Sequence, residues 1–148
     1  MENLFKGIHN LSLDSKGRLG IPITYRDHIM GFLKGSMVIT IETEEKCLLL
    51  YPSSVWSKIQ DKLSKLPSFN KNARRIQRLL IGHAEDIDVD SSGRILISKP
   101  LREYASLSKK IILIGQGEKF EIWNQGTWNE NVEMWRCLLY TSDAADEL

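Results

Sequence analysis

Two arginines, Arg18 and Arg94, each follow a glycine that closes an Asp-x-x-Gly-Arg turn. The first turn reads Asp14-Ser15-Lys16-Gly17-Arg18, and 76 residues later the second reads Asp90-Ser91-Ser92-Gly93-Arg94. A guanidinium at the tip of a two-stranded ribbon can donate bidentately to O6 and N7 of guanine in a major groove, while lysine, serine hydroxyls and turn amides suit phosphate oxygens. Lys16, Ser15, Ser91 and Ser92 supply those groups. The competing role for each arginine is an ion pair with its own turn aspartate, and an exposed pair contributes little to stability. Spacing alone weighs the two roles about evenly. Gly17 and Gly93 suit the left-handed position of a short hairpin loop, and Asp14 and Asp90 suit acceptance from turn amides.

The turns belong to a longer duplication. Leu13 to Ile21 matches Val89 to Ile97, Arg26-Asp27 matches Arg102-Glu103 at the same offset, and Leu48, Leu50, Tyr51 and Trp56 match Phe120, Ile122, Trp123 and Trp128 at an offset of 72. Each copy predicts a β-hairpin, a short helix and a second hairpin. The helices are Ile23 to Met30 behind Pro22, with Gly31 as the stop, and Leu101 to Leu107 behind Pro100. The later strands are Met37 to Ile41 with Cys47 to Tyr51, and Lys110 to Ile114 with Lys119 to Trp123. A hairpin with one apolar face needs a covering surface, and the duplicate copy is the nearest one, so both units should build one pseudo-symmetric β-barrel with neighbouring tips.

Between the copies a helix is expected from Ser54, ended by Pro67, and a second from Asn70 to about Gly82. The second carries Ile76, Leu79, Leu80 and Ala73 as its apolar stripe beside Arg74, Arg75 and Arg78. From Lys58 to Arg78 seven basic residues face Asp61 alone, although the whole chain of 148 residues carries only +1. Such a segment fits a subunit interface, with Arg74, Arg75, Arg78 and Leu79 at the contact, better than an extension of a nucleic-acid surface. Trp128 and Val132 predict a C-terminal helix.

Enzyme chemistry finds no support in the motifs. His9, His28 and His83 lack metal-ligand spacing, and no nucleophile elbow, phosphate loop or paired carboxylates occur. Asp86-x-Asp88-x-Asp90 imitates a calcium loop, but its twelfth position is Ile97 rather than glutamate. No cofactor or metal is expected. Cys47 and Cys137 give no disulfide framework, and Cys47 reads as a buried thiol. No apolar run approaches the roughly 20 residues of a membrane span, so a soluble intracellular protein with no membrane partner is expected.

The two Asp-x-x-Gly-Arg turns, Leu48-Leu49-Leu50-Tyr51-Pro52, the block Arg74-Arg75-Ile76-Gln77-Arg78-Leu79-Leu80-Ile81-Gly82-His83-Ala84, and Gly115-Gln116 with Phe120-Glu121-Ile122-Trp123 together resemble the MraZ family, within the AbrB-like, SpoVT-AbrB group. The resemblance runs from about Phe5 to about Trp128. It implies an α+β, mainly β fold, a swapped-hairpin barrel of two tandem repeats with a helical insert and a C-terminal helix. The implied function is a cytoplasmic, nucleoid-associated transcriptional regulator. It would act as a repressor on double-stranded DNA, binding G-rich direct repeats in its own promoter, upstream of division and cell-wall genes, as a homo-oligomeric ring. By the same resemblance Arg18 and Arg94 contact DNA, with Lys16 and Lys6 in support. The second turn departs from the first in carrying Ser92 where the first has Lys16.

The expected organisation is a first repeat over 7–53, a helical insert over 54–82, a second repeat over 83–126 and a C-terminal helix over 127–136. Residues 137–148 break with the preceding composition and read as non-native sequence. The alternative function is an AbrB-like protein-binding module, an antitoxin or assembly scaffold, with little salt-dependent affinity for DNA.

Overall fold

Leu-, Ile- and Val-rich runs of five to eight residues supply three of the eight strands in the computed structural model, which describes residues 5–140. The first repeat contributes β1 (Phe5–Ser12), β2 (Arg18–Gly20), α1 (Ile23–Asp27), β3 (Ser36–Ile41) and β4 (Leu48–Pro52). The second contributes β5 (Glu85–Asp88), β6 (Arg94–Leu96), α4 (Lys99–Tyr104), β7 (Lys110–Gly117) and β8 (Phe120–Asn124). Between them lie α2 (Ser53–Ser64) and α3 (Lys71–Leu80), and α5 (Gln125–Leu139) closes the described chain.

Six strands form one antiparallel sheet in the order β1-β7-β8-β4-β3-β5, and β2 pairs with β6 as a separate ribbon. Exchanging equivalent strands of the two repeats reproduces the same order, so the sheet has a pseudo-two-fold axis between β4 and β8. The registers locate it: Leu48 faces Ile122 and Leu50 faces Phe120 about the central pair Leu49 and Glu121. In the ribbon, Arg18 faces Leu96 and Gly20 faces Arg94 about Leu19 and Ile95.

The mainly β, α+β class and the exchange of strands between repeats are as expected, but the barrel is not closed. β1 and β5 are opposite edges of the sheet and do not pair with each other. The first hairpin is also less of a hairpin than its sequence suggests. β1 leaves its neighbour β2 after a single bridge, Leu13 to Leu19, and pairs along eight residues with β7 of the other repeat. Likewise β5 pairs with β3. A strand of either repeat therefore completes the other's sheet, which buries apolar faces that neither could cover alone.

The inner face of the sheet, the ribbon, α1 and α4 enclose the main core, including Leu19, Ile21, Ile29, Ile39, Leu48, Leu50, Ile95, Ile97, Phe120 and Ile122. On the outer face Val38, Leu49 and Tyr51 pack under Trp56 of α2 and under α3. The equivalent cluster of Ile112, Ile114 and Trp123 packs under α5 with Trp128 and Trp135. Trp56 is buried against Tyr51 at a centroid distance of 5.6 Å, and its counterpart Trp128 lies 5.6 Å from Trp123, partly buried. Cys47 is fully buried, and desolvation beside Glu121 and Glu42 pushes its thiol up, so it stays a neutral thiol.

Three local expectations shift. The first helix does not stop at Gly31: α1 continues as a wider π-helical turn through Phe32, with the Leu33 amide donating to the His28 carbonyl at 3.2 Å. The chain then reverses through Lys34 and Gly35, both at positive φ. On α3, Asn70 caps as expected, accepting from the Ala73 amide. The face turned inward, however, is Ala73, Gln77 and Leu80, leaving Ile76 and Leu79 outside, each 38% exposed. Finally, α5 carries the last helix past Arg136 to Leu139, into the segment read as atypical; residues 141–148 lie outside the described residues.

Candidate nucleic-acid interface

Each turn is built by its aspartate. The Asp14 amide donates to the Arg18 carbonyl and the Gly17 amide to the Asp14 carbonyl, both at 3.0 Å. Asp14 Oδ1 accepts from the amides of Lys16 (2.9 Å) and Arg18 (2.8 Å). The second turn repeats the pattern: Asp90 Oδ1 accepts from Ser92 (2.8 Å) and Arg94 (2.9 Å). Gly17 and Gly93 sit at φ of +86° and +78°, as the short loop requires.

The other carboxylate oxygen holds the arginine. Arg18 Nε donates to Asp14 Oδ2 at 2.8 Å, and Arg94 Nε lies 3.5 Å from Asp90 Oδ2. The two roles separated in the sequence are thus compatible, because the ion pair uses Nε and leaves the terminal Nη1 and Nη2 for an outside acceptor. Both arginines remain partly open, with side chains 31% and 36% exposed. Leu19 and Ile95 between them are fully buried, so the alternation of the strand turns Arg18 and Arg94 to the outer face of the ribbon. As diagonal neighbours across the ladder they stand roughly 7–8 Å apart.

The Asp14 carboxyl is lowered to about 2, chiefly by the Arg18 amide, with the Arg18 guanidinium and the Lys16 amide assisting. Asp90 is lowered too, by the Arg94 amide first and by Arg18 of the other tip last. A carboxyl depressed on folding stabilises the turn above its ordinary range, and that stability is lost progressively as pH falls from the ordinary value through the folded one. We predict that the Asp14 carboxyl carbon titrates near pH 2 by NMR. Titration near the ordinary aspartate value contradicts the turn geometry.

The tips are also interlocked. The Ile21 amide donates to the Gly93 carbonyl at 2.8 Å, and the Ile97 amide to the Gly17 carbonyl at 2.9 Å. Arg102 of α4 lies over Gly17, where an added Cβ would stand 2.9 Å from its guanidinium carbon and 3.0 Å from the Ile97 carbonyl. Arg26 of α1 lies over Gly93 in the same way, its Nε anchored on the Ile21 carbonyl at 2.7 Å. The repeat already aligned Arg26 with Arg102, which was the available signal, but only the fold places each over the turn of the other repeat. Gly17→Ala therefore combines a left-handed Cβ, at about 1–2 kcal/mol, with the approach to the Ile97 carbonyl. A fall in Tm of roughly 2–8 °C by calorimetry is expected; an unchanged Tm contradicts the packing.

Lys16 stands exposed on the first turn, with Ser15 beside it. Lys6 is not brought to the tips. It lies near the start of β1 opposite Gln116, with its carbonyl accepting from the Tyr25 hydroxyl, so extended chain at about 3.3 Å per residue puts it roughly 25 Å from the turn. Arg74 and Arg75 bond locally, to the Ser68 carbonyl and to Asn72, and Arg78 is exposed on the outer side of α3. Among the described residues no cluster of His, Cys, Asp or Glu could hold a metal, and no helix is long and apolar enough to cross a membrane.

Known proteins are similar to this chain in sequence over most of its length. The family model described as "MraZ protein, putative antitoxin-like" matches residues 4–79 and 80–137, one segment for each repeat. The protein named Transcriptional regulator MraZ from Legionella pneumophila (strain Corby) is 53% identical over 132 residues, covering 89% of this chain and 87% of that one. The protein of the same name from Alkalilimnicola ehrlichii is 47% identical over 145 residues, 98% and 97% of the two chains, and that from Marinomonas sp. is 51% identical over 130, covering 88% and 86%. With both repeats matched and about half of all residues identical over most of its length, the chain belongs to the MraZ family.

Proposed function

We propose that this chain is a DNA-binding transcriptional regulator whose β2–β6 ribbon reads guanines in the major groove. The observation that carries the reading is the outward face of that ribbon, where Arg18, bonded through Nε to Asp14, and Arg94, ion-paired with Asp90 at 3.5 Å, flank a pseudo-two-fold axis with their side chains partly exposed. A two-stranded ribbon fits the major groove, and a guanidinium held by a carboxylate loses less freedom when it binds. Lys16, the serines and the turn amides would hold phosphates on either side. Lys6 would add to the positive surface at a distance rather than touch bases.

One ribbon spans too few base pairs to select a promoter. We therefore read the outer face of α3, with Arg74, Arg75, Arg78, Ile76 and Leu79, as the contact that joins copies into a ring, so that successive ribbons meet successive G-rich direct repeats at high effective concentration. The site would be the chain's own promoter upstream of division and cell-wall genes, the effect repression, and the location the cytoplasm and nucleoid. Arg75→Glu should reduce the sedimenting assembly before it weakens contact with a single repeat; the reverse order would assign α3 to DNA instead.

The test is fluorescence anisotropy of the full chain with one repeat, several repeats and scrambled duplex at 50 and 200 mM salt. The reading requires preference for the repeats, a gain with repeat number and a loss of at least tenfold between the two salts. Weak affinity for all duplexes with no salt dependence would favour the protein-binding alternative.

A further inference from the structure

The two halves of the ribbon are related by the repeat, yet their outer faces differ at one position. Counting 76 residues back from Leu96 leads to Gly20. Leu96 faces outward across from Arg18 and two residues beyond Arg94, so one large apolar side chain stands beside both arginines at one corner of the face, while Gly20 at the opposite corner presents bare backbone. Leu96 is 59% exposed, whereas Leu19 and Ile95 on the opposite face are fully buried. It contributes nothing to the core clusters of the fold.

A scattered surface leucine needs no special account. This one lies within the face assigned to DNA, on a strand of only three residues. The single apolar group that a base edge offers in the major groove is the C5 methyl of thymine. We propose that Leu96 is a specificity-determining residue that packs on a thymine methyl beside the guanines taken by Arg18 and Arg94. The proposal rests on the reading of the ribbon as the DNA contact and deepens it. It also gives the ribbon a direction. A reader with true two-fold symmetry favours a palindrome, whereas leucine at one end and glycine at the other, with Lys16 on the turn at the leucine end and Ser92 in the equivalent place at the glycine end, distinguish the two ends of a site.

The probe is the duplex that the wild-type chain enriches from a random pool, with each thymine replaced singly by deoxyuridine, which lacks only the methyl. Wild type should lose about fourfold in affinity at one such position, the share of one buried methyl group. Leu96→Ala should weaken the all-thymine duplex by a similar factor, remove the sensitivity to deoxyuridine at that position, and leave the salt dependence unchanged because no phosphate contact is lost. Leu96→Met, which keeps an apolar side chain of similar size, should retain the sensitivity. The side chain is outside the core, so neither variant should change the melting temperature. Indifference of wild type to every deoxyuridine, or a sensitivity that survives Leu96→Ala, overturns this assignment alone. A pool from which wild type enriches nothing removes sequence reading by the ribbon and this proposal with it.

Discussion

Arg18→Ala combined with Arg94→Ala should abolish sequence-specific DNA binding while leaving the fold intact. Each bidentate contact to guanine discriminates by about 1–3 kcal/mol, or roughly 5- to 150-fold, and loss of both should bring repeat DNA to the affinity of scrambled duplex. The fold should survive because both side chains lie outside the core and each turn keeps its backbone frame: the amides of residues 14 and 17 still meet the carbonyls of 18 and 14, and those of 90 and 93 the carbonyls of 94 and 90. Each single variant should lose the share of specificity that its own guanine contributes while retaining the rest and the general affinity. Competition anisotropy against scrambled duplex measures the effect, with circular dichroism confirming the fold. Retained discrimination in the double variant would contradict the assignment of the ribbon.

The second large effect concerns the repeats. If the chain is divided within the insert, between α2 and α3, neither half should exist as a folded monomer. β1 would lose its eight-residue pairing with β7, β2 its ribbon partner β6, and β5 its partner β3. Each half keeps only one complete hairpin, β3 with β4 or β7 with β8, and an isolated hairpin is marginal in water. The halves should be unfolded alone, or fold only by pairing with a second copy of themselves, and mixing should restore a cooperative transition. Sedimentation with far-ultraviolet circular dichroism separates these cases. A folded monomeric half would contradict the exchange of strands.

Much of this architecture was legible because the duplication was. Matching Leu13–Ile21 with Val89–Ile97 located the turns, their glycines and the pseudo-symmetry. The pairing was less visible, since the apolar alternation of Leu11, Leu13, Leu19 and Ile21 suits a local hairpin equally well and says nothing about a partner a hundred residues away. Open edges at β1 and β5 depend on that long-range pairing and are not written in either strand. On α3 the hydropathy pattern selected Ile76 and Leu79 over Gln77. Gln77 turns inward because its amide donates to the Leu63 carbonyl at 2.7 Å, a tertiary bond that no periodicity reveals. For the arginines, residue type identified Arg18 and Arg94 but left base contact and ion pair as alternatives, and only the geometry makes both available through different nitrogens. The place of Arg26 over Gly93 and of Arg102 over Gly17 arises from packing between repeats, which residue type and spacing do not encode.

The central claim is that these guanidinium groups meet guanine in the major groove. Replacing guanines of the enriched duplex one at a time by 7-deazaguanine removes the N7 acceptor and changes no phosphate. The account predicts that wild type loses affinity at particular guanines and that Arg18→Ala or Arg94→Ala becomes indifferent to its own guanine while staying sensitive to the other. An equal loss in wild type and in both variants, or none in any of them, would contradict it.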